Sequence, residues 1–390
     1  MNCPYCFSFM KKIPFLDLYQ QYSNHKDEID DAVKRCVQDS SFIYGPEHDA
    51  FAEEFSQFCG GGHTALCGNG TDALTLTIVA LLGKGEGKGE IITVANTFVA
   101  TVEAIVHAGY RPVFIEVDPK TCLMDLSQIE DKINENTKAI IPVHLYGQMV
   151  AMDDLARIAK DHRIAIIEDA AQAHGALWKG HGPGYYSDAA CFSFHPAKNL
   201  STWGDGGAVF TKDKALAERI RMLGNHGQRM KQEHVFCGYN SRMGGIQAAV
   251  LRVKLKYLKE KNEKRRQAAQ YYHQLLVGAP DIQKPFEMDS AYHVYQLYVI
   301  QIDQRDQVKE ALSTQGINAG IHYPRAVYEQ AGFDFLNVGK EELPITTQVC
   351  RRVISLPLYP EITKEQVQSV VAKTVSAVSK SLLPTHSIHK

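Results

Sequence analysis

Lys198 stands alone in "FSFHPAKNLSTWGDGGAVFT" (192–211), between an aromatic, apolar run and a glycine-rich turn. A lysine walled by apolar groups has its ammonium destabilised, and the neutral amine so favoured is a nucleophile for carbonyl carbon. A lysine without such walls is only a solvated surface group. Upstream, "AIIEDAAQAHGA" (165–176) closes an apolar run with two carboxylates, Glu168 and Asp169. Ligands of open α/β sheets lie beyond the carboxyl ends of the strands, so these acids are placed to meet one. The plainer uses are a helix N-cap or an ion pair. Gln172 and His174 follow closely enough to add hydrogen bonds to the same ligand. "CGNGTDAL" (67–74) turns through glycine straight into an apolar helix. Free N–H groups at a helix N-terminus accept phosphate, Thr71 adds a hydroxyl, and Asp72 is the candidate cap. It is neither a P-loop, lacking G-K-[ST], nor G-x-G-x-x-G, and a plain N-cap remains the alternative. "GYNSRMGGIQAA" (238–249) places Asn240 and Arg242 in a turn suited to an anion or a subunit partner.

Pyridoxal phosphate needs all of these features in one domain. Its phosphate suits the helix N-terminus at Gly70 and Thr71. Its ring nitrogen needs a carboxylate such as Asp169, and its aldehyde needs a lysine such as Lys198. Phe98, at the start of a helix just past a strand end, is placed to stack on the ring, with core packing as the alternative.

The elements that must position these groups alternate. "EIITVAN" (90–96), "RPVFIEVD" (111–118), "KAIIPVHLYG" (138–147), "RIAIIEDAA" (163–171) and "GAVFT" (207–211) read as strands buried on both faces. "TDALTLTIVALLG", "TFVATVEAIVHAG" and "MDDLARIAKDHR" read as helices, the first two ending at Gly83 and Gly109. This rhythm predicts an α/β sheet with helices on both faces. A long helical pattern from Gly244 to Gly278, broken once, leads into a smaller α+β portion ending in a helix over "TKEQVQSVVAKTVSAVSKSLL". The expected division is an N-terminal extension (1–12), a large domain (13–255) and a small domain (256–390), with a disordered tail after Pro384. The basic run "KLKYLKEKNEKRR" (254–266) reads as a solvated helix face with interleaved charges.

A formal net charge of -2 gives no drive toward nucleic acid or an anionic membrane. No apolar run reaches the ~18 residues that a membrane span needs. Nine scattered cysteines, Cys191 and Cys237 among them, fit buried reduced thiols and a cytoplasmic setting. Cys3 and Cys6 form a C-x-x-C with no second pair nearby, so no metal site is expected.

The set "EDAAQAHGA", "FSFHPAKNL…GDGGAV", "GNGTDAL", "TFVAT", "GYNSRM…QAAVLRVKL" and "IHYP…SLPLYP" resembles the DegT-type family of nucleotide-sugar aminotransferases, from Ile13 to the last helix. The resemblance implies the fold-type I (aspartate-aminotransferase-like) architecture, with a large domain built on a mixed seven-stranded sheet. It also implies a homodimer with shared sites. By the same resemblance Lys198 is the Schiff-base lysine and proton shuttle, Asp169 the partner of the pyridine nitrogen, and Gln172 the contact to the ring hydroxyl. Ser193, Gly70 and Thr71 form the phosphate cradle, Asn240 reaches the phosphate from the neighbouring subunit, and Phe98 stacks on the ring. His195, His322 and Tyr323 lie toward the sugar. The implied reaction moves an amino group from glutamate to a nucleotide-diphosphate keto-sugar. "PVHLYGQ" (142–148) favours C-3 of a dTDP-3-keto-6-deoxyhexose, with C-4 as the alternative. The chain departs from the family pattern at Gly244 and Gly245, where an acid is frequent, at His195, often tyrosine, and at Trp203. A dehydrating relative carries histidine in place of the lysine, whereas Lys198 is retained here. A cysteine desulfurase would need a reactive loop cysteine, a regulator built on this fold would lack Lys198 or Asp169, and a nicotinamide enzyme would need G-x-G-x-x-G.

Overall fold

The computed structural model describes residues 12–339 and 341–381. All but Lys12 of the expected extension, and the tail after Pro384, lie outside the described residues. Seven strands form one sheet: β1 (His63–Cys67), β2 (Glu90–Val94), β3 (Arg111–Ile115), β4 (Thr137–Ile140), β5 (Ala165–Asp169), β6 (Ala189–Ser193) and β7 (Gly207–Thr211). Their spatial order is β1-β7-β6-β5-β4-β2-β3. β7 runs antiparallel to both of its neighbours, and every other pair is parallel. Six strands therefore deliver their carboxyl ends to one edge.

Alternation along each strand fills both faces. Ile91, Ala139, Ile167, Cys191 and Val209 pack into one layer, and Ile92, Ile140, Ile166, Phe192 and Phe210 into the other. Burial on both sides is why these strands read as continuous apolar runs. The five expected strands are present, 207–211 with its expected bounds and the other four shorter than expected. "KAIIPVHLYG" stops being a strand at Ile140, before Pro142, which has no N–H to donate to a ladder. Leu145–Gly147 is instead a 3₁₀ turn. Strands β1 and β6 were not expected. β6 reads "AACFS", whose small residues carry little β propensity, and it exists because β5 and β7 sandwich it.

The helices that bear on the site are α1 (Pro46–Phe58), α2 (Gly70–Leu82), α3 (Val99–His107), α4 (Met152–His162), α5 (Lys214–Gly224), α6 (Gly245–Leu255) and α7 (Leu258–Leu275). Every residue of α2 from Ala73 to Ala80 is buried, because the sheet lies on one side of it and α3 and α5 on the other. Gly83 ends α2 with φ 78°, and Gly109 follows α3 with φ 85°, both in the left-handed region that closes helices. The long helical pattern breaks once, between α6 and α7. Beyond it a second core gathers Tyr272, Ile300, Leu312, Ile354, Leu356 and Val370 around an antiparallel pair, β8 (Tyr298–Gln301) and β9 (Val353–Leu356).

Two expectations are corrected here. Cys237 is exposed rather than buried. The basic run is not wholly solvated: Lys254, Lys261 and Arg265 are buried, because a second layer of chain covers that side of the helices. Arg265 Nη1 donates to the carbonyl of Leu358 at 2.9 Å, and Lys254 Nζ donates to Ser201 Oγ at 3.1 Å. Burial, reinforced by repulsion from Lys261, pushes the Lys254 ammonium down to about 8. A lysine whose folded-state pKa lies below its unfolded value destabilises the fold while charged. That cost is complete below about pH 8 and fades as pH rises toward the ordinary lysine range. Lys254→Met should therefore raise stability at pH 7 by about 1–3 kcal/mol, measured by urea unfolding, and the gain should shrink by pH 10. A gain that does not change with pH would contradict this account.

Candidate active site

The carboxyl edge of the sheet assembles the site. β5 ends on Asp169 and β6 on Ser193, α2 opens at Gly70 just past β1, and α3 opens at Val99 just past β2. Lys198 lies in the loop from β6 to β7.

The two adjacent carboxylates have separate fates, since neighbouring strand residues face opposite ways. Glu168 Oε1 accepts the Gly184 N–H at 2.7 Å and the Ser187 hydroxyl at 2.5 Å, while Oε2 lies 2.5 Å from His144 Nε2. The Val150 N–H donates to His144 Nδ1, so the imidazole proton sits on Nε2 and faces Glu168. Glu168 is thus fully occupied within the protein. Asp169 is 7% exposed. Its Oδ1 accepts the Ala171 N–H at 3.1 Å and its Oδ2 accepts the Thr101 hydroxyl at 2.7 Å.

Burial pushes the Lys198 ammonium below the ordinary lysine value, and the nearby charge of Asp169 opposes that shift. Among the described residues nothing hydrogen-bonds to its Nζ. The loop around it is held instead through the backbone. Gln296, which the sequence did not single out, accepts the Asn199 N–H at 2.8 Å and donates to the Ala197 carbonyl at 2.7 Å, gripping the chain on both sides of the lysine. Asn199 Nδ2 in turn donates to Asn262 Oδ1 and to the Val294 carbonyl.

At the start of α2 the cap is Asn69, not Asp72. Asn69 Oδ1 accepts the Asp72 N–H at 2.9 Å. The Asp72 carboxylate is drawn away by the Ser241 hydroxyl at 2.6 Å and by Asn69 Nδ2. The Gly70 and Thr71 N–H groups have no partner among the described residues. A Cβ on Gly70 would stand 2.7 Å from Ser193 Cβ, so only glycine lets these free donors approach the serine. Gln172 Oε1 accepts the Tyr146 N–H at 2.6 Å, and its Nε2 donates to the Tyr323 hydroxyl at 3.3 Å. The Tyr323 ring lies 5.7 Å from that of Phe98, which caps α3 and is half-exposed. His322 stacks on Phe15 and pairs through Nδ1 with Ser355 Oγ. Burial, and then the Lys198 charge, push it down to about 4.

Lys198, Asp169, Gln172, Ser193, Gly70, Thr71, Phe98, His322 and Tyr323 therefore gather on one edge. Three other residues stand differently. His174 was expected to offer hydrogen bonds to a ligand, but it is packed among Phe192 and Phe194, neither ring nitrogen meets hydrogen-bond geometry with a partner among the described residues, and burial pushes it down to about 3. His195 is exposed, and its Nδ1 accepts the Ala197 N–H within its own turn. Asn240 accepts from Arg242 Nη2 at 2.6 Å and makes no side-chain hydrogen bond to the cradle of its own chain among the described residues. Thr101, although it lies in "TFVAT", His144, although it lies in "PVHLYGQ", and Gln296 were given no role from the sequence.

The donor set fits pyridoxal phosphate. Free N–H groups and a hydroxyl suit a phosphate, a desolvated amine suits an aldehyde, and a buried carboxylate suits a ring N–H. The sheet order and the placing of the lysine define a fold-type I pyridoxal-phosphate enzyme architecture. Residues 23–375 match the DegT/DnrJ/EryC1/StrS aminotransferase family, and the chain belongs to it. It is 41% identical to the dTDP-3-amino-3,6-dideoxy-alpha-D-galactopyranose transaminase of Aneurinibacillus thermoaerophilus, covering 92% of this chain and 98% of the relative. Similarity is equally close, at 41%, to a "pleiotropic regulatory protein" of Geobacillus stearothermophilus, covering 93% and 97%. A UDP-N-acetyl-3-dehydro-alpha-D-glucosamine 3-aminotransferase of Acidithiobacillus ferrooxidans is 40% identical over 92% of this chain and 96% of its own. The crystal structure of S. venezuelae DesV in complex with a ketimine intermediate superposes with a TM-score of 0.91 at 37% identity, covering 94% of this chain and 98% of that one.

The depressed Lys198 makes a kinetic prediction. The neutral fraction of its amine rises with pH and does so at lower pH than for an ordinary lysine. The rate at which cofactor-free protein captures pyridoxal phosphate, followed by stopped-flow absorbance, should climb with pH and level off at a lower pH than an ordinary lysine would give. Asp169→Asn removes the charge that favours the ammonium, so the plateau should begin at lower pH still. A plateau only at the ordinary lysine pKa would refute the desolvated site.

Proposed function

We propose that this aminotransferase moves an amino group from glutamate to C-3 of a dTDP-linked 3-keto-6-deoxyhexose. The observation that carries the reading is the desolvated Lys198 close to the strand-end Asp169, with free N–H donors beside Ser193. DegT-family aminotransferases use pyridoxal phosphate, which when bound supplies an electron-accepting ring able to stabilise negative charge on a substrate carbon. Lys198 Nζ is both the anchoring amine and the base that takes up and returns a proton. Asp169 receives the ring N–H. The Gly70 and Thr71 N–H groups and the Ser193 hydroxyl bind the phosphate, Gln172 meets the ring hydroxyl, and Phe98 lies against the ring. Tyr323 and His322, brought to the same edge, face the sugar, with His195 at the exposed rim.

C-3 is supported by relatives whose names specify 3-amino products on both dTDP- and UDP-linked sugars. The UDP-linked relative makes a UDP-3-keto sugar the second reading. The division into a large domain (13–255) and a small one (256–390) belongs to the proposal, supported by the separate core around β8 and β9. So does a homodimer in which Asn240 serves the partner's cradle. It is supported by large apolar side chains left exposed at Tyr19, Phe42, Ile43 and Trp203. A cytoplasmic setting accords with seven free cysteines among the described residues, none of the helices there being long and apolar enough to cross a membrane.

The purified protein should show a visible absorption band from bound pyridoxal phosphate, and glutamate should bleach it. Lys198→Ala should lose both the band and the response. A colourless protein indifferent to added cofactor would end this reading and favour a regulator that has kept the fold. For the acceptor, C-3 and C-4 keto-sugars on dTDP and UDP should be compared by coupled assay. Turnover confined to a 4-keto sugar would refute the regiochemistry, and turnover confined to UDP sugars would refute the nucleotide.

A further inference from the structure

Asp169 is the carboxylate on which the functional reading turns, and what holds it is a hydroxyl chain made by the two threonines of "TFVAT" (97–101), which were given no role from the sequence. Thr101 donates its one hydroxyl proton to Asp169 Oδ2 at 2.7 Å. Its oxygen lies 2.8 Å from Thr97 Oγ1. With the Thr101 proton committed to the carboxylate, the proton between the two threonines must come from Thr97. The chain is therefore directional: Thr97 donates to Thr101, and Thr101 donates to Asp169. The Ala171 N–H donates to the other carboxylate oxygen. Thr97 and Thr101 are at most 2% exposed, so water does not replace either hydroxyl. In this arrangement each partner donates a hydrogen to the carboxylate, and the Ala171 N–H, unlike a hydroxyl, can only donate. The carboxylate takes both donors as they stand, whereas a carboxylic acid would have to carry its proton on Oδ2 and reverse both hydroxyls.

Thr97 and Thr101 flank the opening of α3, four residues apart, and Phe98 lies between them as its cap. One helix end thus presents an aromatic ring toward Tyr323 and a hydroxyl chain toward Asp169. The α3 N-terminus also carries partial positive charge, which favours an anion beside it.

We infer that Thr101, backed by Thr97, is the positioning residue that keeps Asp169 an oriented anion for the cofactor's ring nitrogen. This rests on the pyridoxal-phosphate reading above. Its role is distinct from that of Asp169, because Thr101 acts only through the carboxylate. Thr101→Val keeps the shape and removes the donor, leaving one carboxylate oxygen buried without its partner. Thr101→Ser keeps the donor and removes a methyl group. Thr97→Val leaves Thr101 in place and removes only the second hydroxyl.

The test uses the holoenzyme and needs no turnover. Cofactor affinity is measured by equilibrium dialysis, and the pH dependence of the bound cofactor's visible band by spectrophotometric titration. Loss of a hydrogen bond to a buried charge should weaken cofactor affinity about 10- to 100-fold in Thr101→Val. The band's titration should shift as the ring nitrogen loses its oriented partner. Thr101→Ser should restore both, and Thr97→Val should give a smaller shift in the same direction. If Thr101→Val does not fold, a shifted titration in Thr97→Val upholds the inference and a wild-type titration overturns it. Wild-type affinity and titration in Thr101→Val, or a Thr101→Ser variant no better than valine, overturn the inference while leaving the functional reading intact. Absence of any Lys198-dependent band in the wild type overturns the functional reading, and this inference with it.

Discussion

Keeping one amine poorly solvated beside one carboxylate is the constraint on which the rest of this structure depends. The two requirements conflict. Burial disfavours the Lys198 ammonium, while the charge of Asp169 favours it, and a buried carboxylate is itself costly unless its oxygens are satisfied. The resolution is division of labour. Asp169 draws hydrogens from Thr101 and Ala171, so it does not need the lysine as a partner. Among the described residues nothing hydrogen-bonds to Lys198 Nζ, and its loop is held by its backbone.

The sheet makes this affordable by geometry. Six strands ending on one edge bring together groups separated by long stretches of sequence, and β7 leaves that edge antiparallel, which opens a loop there for the lysine. Glycine appears where backbone must come close: Gly70 sits where any Cβ would run into Ser193. Glu168, next to Asp169 on the same strand, is turned to the other face and bound by His144, Ser187 and the Gly184 N–H. That network anchors the strand end whose last residue is Asp169, because the His144 N–H also donates to the Asp169 carbonyl.

Much of the site was legible because its chemistry is carried by short motifs. Lys198, Asp169, Ser193 and Gly70 sit beside turns and apolar runs that show in a window of ten residues. What could not be read depends on partners far away in the chain. Thr101 looks like any helix residue until β5 brings Asp169 to it, and Gln296 looks like any polar residue before a strand. Local cues also misled. Asp72 resembles a cap, but Asn69, three residues earlier, takes that position, leaving the aspartate to Ser241. Small residues hid β6 between two neighbours that force it to be a strand. Interleaved charge suggested a solvated helix face, yet Lys254, Lys261 and Arg265 lie on the side that later chain covers.

The grip of Gln296 on Ala197 and Asn199 has a consequence for how the molecule comes into being. Its two bonds join residues 97 and 99 positions apart, and closing so long a segment costs entropy that only the finished tertiary packing offsets. The backbone on either side of the lysine is therefore set by contacts between residues far apart in sequence, whose loop-closure cost is met only as the tertiary structure forms. The sheet can assemble from the first part of the chain, but Lys198 acquires its final setting only when the segment before β8 has docked. Competence to bind the cofactor is in this sense a report that the later part of the chain has folded.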